Sequence, residues 1–127
     1  MKATAWPALS SDQRAQTLWS VAEHLRQRQA EFAALTSDQE VEAAIRSLFA
    51  TAALAGHIQG RVQETKPGYL TLERFDPLGV IAILCPPEAP LARLIALTAP
   101  ALAMGNRVVC VPSEAAPHVG AKLAQVF

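Results

Sequence analysis

Few side chains in this sequence stand in a pattern that could do chemistry. Two thiols occur, Cys85 and Cys110, and Cys85 opens the stretch Cys85-Pro86-Pro87-Glu88. A thiol becomes a nucleophile when a nearby cation lowers its pKa, yet no Lys, Arg or His is adjacent to either one. Both fall in apolar runs that read as buried strands, so both read as inert core thiols. Glu88 could act as a general base, but no His, Lys or second carboxylate lies near it in sequence, and an exposed loop carboxylate is the simpler reading. His24, His57 and His118 share no metal-ligand spacing, and His24 should face solvent. Gly105-Asn106 reads as a helix stop followed by a strand start, and no glycine-rich phosphate loop is present.

The elements that must position these residues divide the chain into a helical first half and an alternating strand–helix second half. Helix one should begin at Ser10, with Gln13 completing a capping box. Ala15, Leu18, Ala22, Leu25 and Phe32 recur at helical spacing, so one helix through Phe32 is expected. A second box, Ser37 with Glu40, should open helix two, whose apolar side carries Val41, Ile45, Leu48, Ala52 and Ala55 and which should fray near Gly56 and Gly60. Tyr69 to Phe75 alternates as a strand, and Asp76-Pro77-Leu78-Gly79 reads as a turn. Val80 to Cys85 is continuously apolar, which predicts a strand buried on both faces, as in a parallel sheet. A helix over 90–104 follows, capped by Gly105 and expected to be kinked or divided at Pro100. Val108 to Val111 should be a second buried strand, and Pro117 should open a last helix running to the final residue.

The expected fold class is therefore α/β: an N-terminal helical pair with its connector, residues 1–66, followed at 67–127 by the beginning of an open parallel Rossmann-like sheet, the two making one partial structural unit. Two or three parallel strands leave apolar edges that something else must cover. The 127 residues are 51% apolar and 17% charged, with 11 basic against 11 acidic side chains. That balance gives no field favouring nucleic acid or an anionic membrane. No secretory leader is visible after Met1, and no apolar run is long enough to span a bilayer. With two cysteines read as free, a cytoplasmic location is expected.

Certain residues carry a resemblance. Pro77-Leu78-Gly79-Val80, Pro86 to Leu91, Ala99 to Ala103, Gly105-Asn106, Val108-Val109 and Pro112-Ser113-Glu114, with Trp6, Arg14, Leu18, Ala22, Glu40-Val41 and Gly60 upstream, resemble the N-terminal, coenzyme-binding part of NAD(P)-dependent aldehyde dehydrogenases. The resemblance covers nearly the whole chain and about the first third of a complete single-module member. It implies an incomplete aldehyde dehydrogenase fold with NAD or NADP lying across the carboxyl ends of the strands. The cofactor-side positions it implies are Leu84, Cys85, Pro86, Pro87, Val111, Ser113 and Glu114.

The sequence departs from the family where the motifs matter most. The first strand of the family ends in Pro-Trp-Asn, whose Asn donates to the oxyanion formed when thiolate attacks aldehyde. Here Pro87 replaces the Trp and Glu88 occupies the Asn position. Loss of one such donor typically costs about 2.7–4 kcal/mol, and a like charge should cost more. The second strand of the family ends in Lys-Pro-Ser-Glu, whose Lys and Glu hold ribose hydroxyls. Here Val111 stands for the Lys while Glu114 matches. Glu114 therefore reads equally as a ribose contact or as a charge near the start of the following helix. The nucleophilic Cys and general-base Glu of the family fall beyond this stretch, so no catalytic residue is expected, and cofactor binding by this chain is expected to be weak or absent. The pattern is closest to the degenerate second module of two-module aldehyde dehydrogenases. Such a module implies a pseudoenzyme that self-associates or docks on a dehydrogenase module. A segment of an active NAD(P)-dependent aldehyde dehydrogenase is the alternative. The acylating, CoA-dependent branch also lacks the Lys but keeps the Asn.

Overall fold

The computed structural model describes residues 6–127. The expectation about a leader after Met1 bears on residues outside that range. Ser10 and Gln13 form the expected capping box and start α1 (Ser11–Gln27). The helix does not run on to Phe32. Arg28 leaves helical geometry at φ −103°, ψ 17°, and a short α2 (Gln29–Ala33) follows. Its guanidinium bonds Glu31 at 3.1 Å and Gln125 at 3.3 Å, and the redirected chain buries Phe32 completely.

Ser37 caps α3 (Asp38–Ala55) by accepting from the Glu40 amide at 3.2 Å. The Glu40 side chain does not close the box, because it points to another helix. Gly56 ends α3 close to the expected place. Residues 61–66, expected only as connector, form β1 (Arg61–Lys66), which pairs antiparallel with β2 (Tyr69–Glu73). Gly60 allows this pairing, since a Cβ there would stand 1.8 Å from the Glu73 carbonyl oxygen. Alternation within β1 is weak, with only Val62 apolar, and the signal was lost there.

β3 (Val80–Leu84) and β4 (Arg107–Val111) pair in parallel, joined by α4 (Pro90–Ala103). The strand–helix–strand expectation holds, but burial on both faces does not. Ile83 is buried and Ile81 and Val108 are half-buried on the α4 side. On the other face Val80, Leu84, Val109 and Val111 are 57%, 75%, 56% and 48% exposed, because no described element packs there. Cys110 is exposed and Cys85 half-buried, so neither is the fully buried core thiol expected. Pro100 does not divide α4, which is one helix from Pro90 to Ala103. It and Ala96, the residue whose carbonyl loses a partner, both lie on the exposed side, where an unpaired carbonyl can meet water. The last helix, α5 (Pro117–Leu123), stops before the final residue and gives way to turns that bury Val126.

One core joins these parts. α3 packs on α1 and α2 to one side and on α4 to the other, and α4 covers the two-stranded sheet. Gly105, at φ +85°, turns the chain out of α4. Asn106, 4% exposed, then receives the Gly79 amide on its side-chain oxygen at 3.1 Å and donates its side-chain nitrogen to the Ala101 carbonyl at 3.1 Å. Its amide thus ties the end of α4 to the start of β3. No helix among the described residues is long and apolar enough to cross a membrane.

Two predictions follow from these contacts. Asn106→Ala leaves the half-buried Gly79 amide without its acceptor and takes one of two donors from the Ala101 carbonyl, which keeps the backbone amide of residue 106, and should lower stability by about 1–3 kcal/mol, measured by urea unfolding. Glu31 accepts from Lys122 at 2.8 Å and from Arg28, and those bonds lower its pKa from 4.5 to about 2. A carboxylate depressed in the folded state contributes above its unfolded value and loses that contribution as pH falls through the folded one. The link between α2 and α5 should be intact above about pH 4.5 and weaken toward pH 2. Faster amide exchange in α5 over that window, absent from Glu31→Gln, would show it.

Candidate functional site at the carboxyl edge of the sheet

Because β3 and β4 are parallel and in register, their carboxyl ends stand side by side. Leu84 pairs with Val111, and the Cys85 amide donates to the Val111 carbonyl at 3.0 Å. This brings the two stretches that carried the sequence signal, 84–88 and 111–114, to one edge of the sheet. Past β3 the chain turns through Pro86 to Ala89 into α4. Ala89 takes the left-handed conformation (φ 49°, ψ 59°), which a residue with a Cβ rarely adopts.

Cys85 belongs to this turn as a structural group. Its Sγ lies 3.3 Å from the Pro90 carbonyl oxygen and 3.5 Å from that of Pro86, so the S–H can donate across the turn. Burial pushes the thiol pKa up, and the Ser113 backbone amide offsets this only in part, while Cys110 and Glu40 raise it further. The thiol stays protonated at neutral pH, as a donor must. Ser113 is buried, with its hydroxyl accepting from the Ala115 amide at 3.2 Å and its carbonyl from Ala116 at 3.0 Å, which shapes the turn out of β4.

The remaining edge residues face outward. Pro86 is half-buried, and Leu84, Pro87, Glu88, Val111 and Glu114 are exposed. Glu88 and Glu114 make no side-chain hydrogen bond or ion pair among the described residues. His24, His57 and His118 are exposed, and the described residues contain no metal-binding cluster of His, Cys, Asp or Glu. A cavity of about 510 Å³ lies elsewhere, between α4, β4 and α5, with Leu94, Thr98, Leu102, Cys110 and Leu123 in its lining. None of residues 84–88, 111, 113 or 114 lines it.

Two structurally decisive side chains escaped the sequence reading. Glu40 accepts from the Leu91 amide at 2.6 Å and the Ala92 amide at 3.2 Å, at the start of α4. Its apparent place in a capping box hid this. Asn106 read only as a strand start, and nothing local signals its bond to Gly79, 27 residues away.

The sequence model of the aldehyde dehydrogenase family matches residues 1–127. The chain belongs to that family. Vanillin dehydrogenase from an Amycolatopsis species is 34% identical over 134 residues, covering 97% of this chain and 28% of its own length. The NADP complex of glyceraldehyde-3-phosphate dehydrogenase GapN from Methanocaldococcus jannaschii superposes with a TM-score of 0.90 at 25% identity, covering 98% of this chain and 29% of that one. Lactaldehyde dehydrogenase from Escherichia coli superposes with a TM-score of 0.89 at 27% identity, covering 98% and 28%. This aldehyde dehydrogenase chain therefore spans under a third of the relatives it matches.

Whether its edge fits a nicotinamide cofactor depends on two side chains. Glu114 offers an exposed acceptor to a ribose hydroxyl. Val111 offers an apolar surface, 48% exposed, with neither donor nor acceptor. Of the two polar side chains that the resemblance implies against a ribose, one carboxylate stands here beside an apolar Val111, which is a poor fit.

The thiol environments give a direct prediction. Treated with N-ethylmaleimide at mildly alkaline pH, Cys110 should be alkylated well before Cys85, read by peptide mass spectrometry. Equal rates would contradict the raised pKa and the bond to Pro90.

Proposed function

We propose that this chain is an aldehyde-dehydrogenase-like module with no catalysis of its own, whose role is assembly beside a dehydrogenase module. One observation carries the reading. The β1–β2 hairpin is amphipathic and makes no substantial contact with any other described element. Register places Val62 opposite Leu72 and Glu64 opposite Leu70, so Val62, Leu70 and Leu72 share one face, 67%, 74% and 75% exposed. Arg61, Gln63, Thr71 and Glu73 share the other. An isolated hairpin is marginal in water, and one with a bare apolar face calls for a surface to rest on. The open face of Val80, Leu84, Val109 and Val111 adds a second such demand. Self-association or docking on a dehydrogenase module, in the cytoplasm, would satisfy both.

The absence of catalysis in this module rests on the edge side chains. A carboxylate at position 88 repels the charge that an oxyanion donor would stabilise. Val111 cannot replace the cation of a ribose clamp. Cys85 is held as a protonated donor to backbone. These departures resemble the degenerate second module of two-module aldehyde dehydrogenases more than the CoA-dependent branch.

The alternative, a segment of an active NAD(P)-dependent enzyme oxidising an aldehyde to a carboxylic acid, draws on the preserved Ser113-Glu114 turn and the intact parallel edge. On that reading the nucleophile and base come from sequence outside these residues. The residues here would only orient cofactor.

Sedimentation velocity separates a bare from a covered hairpin. The chain should associate with itself or with a dehydrogenase module, and Leu70→Asp with Leu72→Asp should abolish association while leaving helical content unchanged. A wild-type chain that stays a folded monomer beside such a module would refute the assembly role. Calorimetry should detect NAD binding weakly or not at all, and Glu88→Asn with Val111→Lys should tighten it. Low-micromolar wild-type affinity would contradict the reading of Val111.

A further inference from the structure

α4 begins without a local cap. Its N-cap residue is Ala89, in a left-handed conformation and without a side-chain acceptor, so the first amides of the helix need a partner from elsewhere. That partner is half-buried Glu40, 51 residues upstream in α3, whose single Oε1 accepts from both Leu91 and Ala92. A negative charge at a helix N-terminus is favoured by the aligned peptide dipoles, and charge-assisted bonds are the strong ones. On the other side of the same turn, the Cys85 thiol reaches the Pro90 carbonyl. The Pro86–Ala89 turn is thus held from outside by α3 and from inside by β3.

We infer that Glu40 is a positioning residue: its carboxylate, reaching from α3 to the start of α4, sets where the Pro86–Ala89 turn, and with it residue 88, stands on the carboxyl edge of the sheet. The diversion of Glu40 from the Ser37 capping box supports this. Ser37 still accepts from the Glu40 amide, so α3 keeps its own cap while the side chain serves another helix. Ala89 supports it as well, because a strained backbone persists only where its surroundings hold it. Glu40 touches no reacting group and is not catalytic. The inference rests on the family reading only for why this turn matters. Its test needs neither cofactor nor turnover, so it can fail independently of the assembly proposal.

The test is hydrogen–deuterium exchange with mass spectrometry on the full polypeptide carrying Glu40→Ala or Glu40→Gln. Peptides covering 86–92 are compared with peptides from α1, α3 and the second half of α4. Loss of a charged hydrogen bond should speed exchange at 86–92 by about tenfold or more in Glu40→Ala. The other peptides should stay unchanged, and Glu40→Gln, which keeps an acceptor, should fall between. Maleimide labelling gives an independent readout: alkylation of Cys85 should accelerate relative to Cys110 in the same molecule. Unchanged exchange at 86–92 in Glu40→Ala would overturn the inference, as would a rise shared by every peptide, since that marks general loosening. Failure of Glu40→Gln to fold would overturn it too, by making Glu40 a support of the whole core.

Discussion

The central constraint on this structure is that side chains from other segments hold both ends of α4: its N-terminus has no cap of its own, and at its C-terminus they add to the backbone bonds of the Gly105 turn. Helix termini leave backbone groups unpaired, and burial makes them costly. At the N-terminus the Glu40 carboxylate supplies the missing acceptor. At the C-terminus Trp6 Nε1 donates to the Leu102 carbonyl at 3.0 Å, Arg14 Nε to the Ala103 carbonyl at 2.9 Å, and the Asn106 side chain to that of Ala101. The charges have the signs the helix dipole favours, anionic at the start and cationic at the end. Each partner comes from a different segment. The N-terminal helices are therefore the clamps that aim α4, and α4 in turn carries the sheet.

That dependence explains which parts of the fold could be read in advance. The capping box at Ser10, the Ser37 cap, the Gly105 stop and the strand–helix–strand order all rest on neighbours a few residues apart, and each is found. Errors arose where a distant partner decides. Arg28 breaks the first helix partly by reaching Gln125. Glu40 leaves a box that its spacing predicts. β1 depends on pairing with β2 rather than on its own alternation. Continuous apolarity in β3 marks a strand, but of the two covering layers it predicts only α4 is found among the described residues.

The candidate site was legible in place and less so in character. The stretches 84–88 and 111–114 meet because parallel strands in register must bring their carboxyl ends together. What spacing cannot disclose is the state of each side chain. Cys85, taken as inert packing, is a hydrogen-bond donor that bridges the turn. Ser113 is buried and shapes the exit from β4. Glu88 and Glu114 differ from them in being exposed carboxylates with no side-chain partner among the described residues.

The central claim, that these residues provide an aldehyde dehydrogenase scaffold without its chemistry, meets its most direct test in a turnover assay. The purified chain is mixed with NAD or NADP and a panel of aliphatic and aromatic aldehydes, and formation of reduced cofactor is followed by absorbance. The account predicts no aldehyde-dependent signal above the protein-free background. Sustained, aldehyde-dependent reduction that tracks with the chain through purification would contradict it.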